Sequence, residues 1–100
     1  MDNAISKIPE SHRQDVAHAI KLLKKFGCKE IYLFGSLVDG TGRAGSDIDI
    51  AIRGIDADKY FKILGQLMLE LDHPVDLINL DRQDDFSRFL EKEGDLFHVQ

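Results

Sequence analysis

The sequence predicts an α/β (α+β) fold, a small mixed β-sheet flanked by helices. Three features predict it. Segments of helical and of strand periodicity alternate along the chain. Three short runs, IYLF, DIDIAI and VDLINL, are rich in β-branched residues, too short for helices and bounded by turn residues. The stretch between the second and third runs is long enough for a helical crossover, so those two strands can lie parallel. With 100 residues, 43% of them hydrophobic, the chain suffices for one domain, 1–100, and is too short for two.

Ser11 is placed to cap a first helix, whose Val16, Ile20, Leu23 and Phe26 fall on one stripe. Gly27 stops that helix. Residues 31–34 form the first strand. Glycines at 35, 40, 42 and 45 then punctuate a loop, with one helical turn after Ser36. Over residues 47–52, period two turns Ile48, Ile50 and Ile52 one way and Asp47, Asp49 and Ala51 the other. Asp56 or Asp58 can cap a second helix with Tyr60, Ile63, Leu64, Leu67 and Leu71 as its apolar positions. It ends before Pro74, because the residue ahead of a proline avoids helical geometry. Phe61, Met68 and Leu69 exceed what one stripe needs. They suit either a widely buried face or a contact with another chain. Residues 75–80 read as a third strand. Residues 83–92 read as a third helix, with Phe86, Phe89 and Leu90 inward and Gly94 at its end. DLFHV, near the end, reads as a short extra strand.

The formal net charge is −5, which argues against direct nucleic-acid binding, since that affinity comes from basic residues neutralising phosphates. Lys21, Lys24 and Lys25 cluster on the first helix and read as a solvated face. Cys28 is the only cysteine, so it has no internal disulfide partner; beside Gly27 it reads as a small buried filler. His12, His18, His73 and His98 lack ligand spacing, and His73 before Pro74 reads as a turn residue. No apolar run reaches about 18 residues and no signal-peptide pattern is present, so no membrane association is expected and a cytoplasmic location is the default.

The chemistry concentrates in LFGSLVDGTGRAGSDIDIAI, residues 33–52. Asp47 and Asp49 alternate on one face of a strand, with Cα atoms roughly 6–7 Å apart. A D-x-D pair alone is also what a solvated edge strand carries. Here, though, like charges at this distance repel, and a divalent cation relieves the repulsion. Carboxylate oxygens suit Mg²⁺. Asp76, second in the next strand, can approach the pair if the strands run parallel. Three carboxylates at one sheet edge suit two metals about 3.5–4 Å apart. Gly35 lets a phosphate approach the backbone, and the N–H groups and hydroxyl at Ser36 can donate to it.

Gly35-Ser36, ten intervening residues and Asp47-x-Asp49 resemble the G-S-x10-D-x-D signature of the DNA polymerase β-like nucleotidyltransferases. The resemblance covers roughly residues 15–98. Asp76 matches the family's third carboxylate, and Arg43 and Ser46 match positions common in its minimal members. Those small proteins are often paired with a helical HEPN partner as toxin and antitoxin. Leu37 and Asp39 depart from the minimal group, which often has basic residues there.

The resemblance implies a polymerase β-like fold and transfer of AMP from ATP to a hydroxyl, with two Mg²⁺ ions. It implies Asp47, Asp49 and Asp76 as catalytic, metal-holding residues, and Gly35, Ser36, Arg43 and Ser46 as nucleotide-binding. It also implies a tyrosine of a HEPN toxin as acceptor, which would make this chain a type VII-like antitoxin in a hetero- or homo-oligomer. The competing reading is a catalytically idle module that neutralises or assembles with a helical HEPN partner by contact.

Overall fold

The computed structural model describes residues 8–43, 45–94 and 96–99. Helix α1 spans Glu10–Lys25 and buries Val16, Ala19, Leu22 and Leu23 along one stripe. It ends in a Schellman motif. Gly27, at φ +91°, donates its N–H to the Lys24 carbonyl, and Cys28 donates to Leu23. Strand β1 (Glu30–Phe34) leads into a single helical turn, α2 (Ser36–Asp39), and then β2 (Ile48–Arg53). A 3-10 turn at Ala57–Lys59 precedes α3 (Tyr60–Glu70) and β3 (Val75–Asn79). A second 3-10 turn at Leu80–Arg82 leads to α4 (Asp85–Glu93) and the two-residue β4 (Phe97–His98).

The sheet order is β3-β2-β1-β4. Strand β1 is antiparallel to both β2 and β4, whereas β3 is parallel to β2 through the α3 crossover. One face of the sheet carries Ile31, Leu33, Ile48, Ile50, Ile52 and Leu77, packed with residues of α1 and α3. Burying an Ile side chain contributes about 1.5–3 kcal/mol, so the three isoleucines of β2 anchor the molecule. The opposite face carries Tyr32, Phe34, Ala51 and Ile78, packed with Leu80 and with Leu90 of α4. That cover is partial. Ala51 is fully buried, while Asp49, two residues upstream on the same face, is half-buried, and Asp47 and Asp76 are exposed. Among the described residues no helix is long and apolar enough to cross a membrane.

Several local expectations are corrected. Ser11 does not cap α1: Pro9 is the cap residue, and the Ser11 hydroxyl instead meets the ring of His12. Asp56 precedes the 3-10 turn without a side-chain cap bond, and α3 begins only at Tyr60, so Asp58 caps nothing. Phe86 and Phe89 are 49% and 56% exposed, so they do not face inward. The inward positions of α4 are Ser87 and Leu90. Ser87 is drawn in because its backbone N–H caps onto Asp84, at 2.9 Å, and its hydroxyl reaches the Asn79 carbonyl, at 3.3 Å. Strand β2 starts at Ile48, leaving Asp47 just ahead of it. Asp95, at the head of the expected extra strand, lies outside the described residues.

Candidate active site

Period two places Asp49 on the partly covered face with Ala51, and the parallel register sets it directly beside Asp76 of β3. Neighbouring strands lie about 4.8 Å apart, so the two carboxylates share one patch of space. On the other side Asp49 pairs with Phe34, the last residue of β1. Gly35 therefore arrives next to the acid. Its φ of +78° and ψ of −156° belong to a region that is essentially glycine's alone. A Cβ on Gly35 would lie 2.2 Å from Asp49 Oδ2 and 3.1 Å from its Cγ. Conformation and space both demand glycine there.

Burial first, then the charges of Asp76 and Asp47, push the Asp49 carboxyl up to about 6. All three acids thus act in one field. Ser36 opens α2 directly after Gly35. Ahead of Asp47, Arg43 and Ser46 close a small turn. Ser46 N–H donates to the Arg43 carbonyl at 2.9 Å, and Arg43 N–H donates to the Ser46 hydroxyl oxygen at 2.9 Å. Arg43 itself is exposed. The structure therefore brings Gly35, Asp49 and Asp76 together, sets Asp47 just ahead of β2, and links Arg43 to Ser46 in the turn before it.

Residues 18–99 match the polymerase beta nucleotidyltransferase family. The chain belongs to that family. A toxin–antitoxin crystal structure with AMP-PNP is 31% identical to this nucleotidyltransferase domain, at a TM-score of 0.60, and the likeness covers 83% of this chain and 69% of that one. The crystal structure of the toxin–antitoxin MntA–HepT is 27% identical, at a TM-score of 0.57, over 84% of this chain and 69% of its own. No curated protein matches the sequence.

The acids of this nucleotidyltransferase domain suit a hard divalent cation in donor chemistry, since all are carboxylates, and Asp49 and Asp76 stand in register on neighbouring strands. Among the described residues, no three His, Cys, Asp or Glu side chains are already gathered as a ligand shell. The departures Leu37 and Asp39 also have local explanations. Leu37 is fully buried in the core. Asp39 Oδ1 accepts from the Thr41 N–H at 2.9 Å and from its hydroxyl at 2.6 Å, folding the chain after α2.

Two features near the site went unread in the sequence. The Tyr60 hydroxyl donates to the Leu77 carbonyl, one residue past Asp76. Burial and then Asp76 raise its pKa, against a smaller opposing effect of Arg82. The second feature is a pair of histidines. His12 and His73 stack, and neither ligand spacing nor hydrophobic periodicity signals that pairing.

Proposed function

We propose that this domain transfers a nucleotidyl group, AMP from ATP, to a hydroxyl acceptor, with two Mg²⁺ ions as cofactors. The observation that carries the reading is the side-by-side register of Asp49 and Asp76 next to a glycine that admits no side chain. Asp47 and Asp49 would hold both ions, and Asp76 the one nearer the acceptor oxygen. Mg²⁺ bound there supplies charge neutralisation at the phosphates and acidifies the acceptor hydroxyl. The bare Cα of Gly35 lets the triphosphate approach the backbone. The N–H groups and hydroxyl at Ser36 donate to the β- and γ-phosphate oxygens. Arg43 and Ser46, joined in one turn, offer a guanidinium and a hydroxyl to the nucleotide. Asp76 takes the hydroxyl proton as the acceptor oxygen bonds to the α-phosphorus. The bond to the β-phosphate breaks, and pyrophosphate leaves.

The acceptor in this reading is a tyrosine hydroxyl on a HEPN toxin, and the chain is the antitoxin, acting in the cytoplasm. Its likeness to a toxin–antitoxin crystallised with AMP-PNP, an ATP analogue, supports that assignment. A second reading keeps the partner and drops the chemistry: a module that neutralises a HEPN toxin by contact alone. Phe61, Met68 and Leu69, exposed by 77%, 66% and 84% on α3, favour a contact surface.

Co-expression with the partner followed by mass spectrometry separates the two readings. Transfer predicts an added adenylate on the partner with wild type and none with Asp47→Asn. No adenylate with either protein leaves the contact reading standing alone, and equal labelling by both removes Asp47 from the proposed transfer.

A further inference from the structure

We infer that His12 and Asp15 of α1 are positioning residues that set where the two acid-bearing strands enter the sheet. This rests on reading Asp47, Asp49 and Asp76 as the metal-holding carboxylates. His12 is fully buried, and its Nε2 lies 2.7 Å from the carbonyl of Ser46, the residue before Asp47. A carbonyl only accepts, so Nε2 carries the proton. Nδ1 lies within hydrogen-bond distance of the Ser11 hydroxyl, 2.9 Å away. Both ring nitrogens are thereby engaged, which fixes the orientation of the ring.

Asp15, three residues along the same helix, is also buried. Its Oδ2 accepts from the N–H of Asp72 at 2.9 Å, the N–H of His73 at 2.9 Å and the His73 ring Nδ1 at 2.7 Å. His73 stands three residues before Asp76. Its ring stacks on that of His12, centroids 3.8 Å apart and planes 25° from parallel. The turn is tied back as well, since Ile48 N–H donates to the Pro74 carbonyl at 2.9 Å.

One helix face therefore grips the chain just ahead of β2 through a carbonyl, and just ahead of β3 through two amides and a ring. The ring stack joins the two grips. Burying an imidazole and a carboxylate costs desolvation that an apolar pair would not. What the polar groups add is direction, since each hydrogen bond fixes an orientation as well as a distance. Every grip acts on main chain or on His73, so the oxygens of Asp47, Asp49 and Asp76 stay available. Supports of this kind hold a metal-binding set in its working geometry.

The test is a Mn²⁺ titration of the full chain, read by water proton relaxation, alongside thermal unfolding. It compares wild type, His12→Leu, His12→Gln and Asp49→Asn. A Gln amide can still donate to the Ser46 carbonyl, while Leu cannot. Expected are a loss of affinity of about tenfold or more in His12→Leu and recovery to within about threefold in His12→Gln, with no binding by Asp49→Asn. Wild-type affinity in a folded His12→Leu, while Asp49→Asn does not bind, overturns the positioning role and leaves the metal reading intact. Indistinguishable titrations of wild type and Asp49→Asn remove the metal reading and this inference with it. Should His12→Leu not fold, amide NMR spectra of Asp15→Asn decide. Shifts reaching Ser46 and Asp47 across the ring stack support the coupling, and shifts confined to residues 72–74 overturn it.

Discussion

Asp49→Asn should make the metal-free protein more stable at neutral pH, although it removes the central acid of the proposed site. Burial, then Asp76, then Asp47 raise the Asp49 carboxyl from 3.8 to about 6. A folded-state pKa above the unfolded value means that the group favours folding most below the unfolded pKa. That advantage is lost as pH rises through the folded value. At pH 7.5 an ionised Asp49 therefore costs stability. Two units of pKa correspond to a ceiling of about 3 kcal/mol. Partial solvent access screens the interaction, which leaves about 1–2 kcal/mol. Asparagine keeps the shape and removes the charge, so it should recover that amount. With a urea slope of about 1–3 kcal/mol per molar, the midpoint should rise by about 0.3–2 M at pH 7.5. By the same linkage the gain should fall to about half to two-thirds of that at pH 4.5. Urea unfolding followed by circular dichroism at the two pH values measures both. An asparagine variant less stable than wild type at pH 7.5, or a gain that grows on acidification, would refute the argument. On the proposed role, Mg²⁺ at ten times its Kd stabilises wild type by about 1.4 kcal/mol and leaves the variant unmoved.

Other expectations follow from single contacts. Gly35→Ala forces a side chain into a glycine-only conformation and against Asp49 Oδ2. It should cost at least about 1–3 kcal/mol in urea unfolding, and Mn²⁺ binding should be lost with it. Leu37→Lys places a charge at a core position. Since Leu37 is fully buried here, it should destabilise by at least about 3 kcal/mol and give an unfolded or aggregated product by circular dichroism and gel filtration. Burial pushes the Cys28 thiol up to about 11. The native protein should therefore react with a thiol reagent at pH 8 far more slowly than the urea-unfolded chain. Asp84→Ala removes the cap on Ser87 and should lower the urea midpoint. Because that bond holds the Asp84 pKa below its ordinary value, the difference should fade as pH drops below the usual aspartate range.

Much of this molecule is local information. Alternating isoleucines over 48–52 choose a strand and its buried face, and Gly27 and Pro74 stop helices through backbone geometry alone. The glycine-serine pair and the D-x-D stand out in the sequence for the same reason, since each is a short pattern with fixed spacing, and the structure sets Gly35, Asp49 and Asp76 beside one another. Phe86 and Phe89 misled because helical period marks an apolar stripe without saying whether a neighbour covers it. The α4 stripe that faces the sheet is chosen by Ser87 and Leu90, through a hydrogen bond to Asn79 that periodicity does not encode.

Only the tertiary structure decided the rest. That Asp49 and Asp76 stand side by side depends on β3 lying parallel to β2, and that in turn depends on α3 crossing over the sheet. That the acids are reachable depends on α4 sealing Ala51 while stopping short of them. The pairing of His12 with Ser46, and of Asp15 with His73, joins residues 34 and 58 positions apart in sequence. A chain can state which side chains it carries and which way each strand turns them. Contacts between distant segments exist only once burial of the shared core has fixed those segments in space.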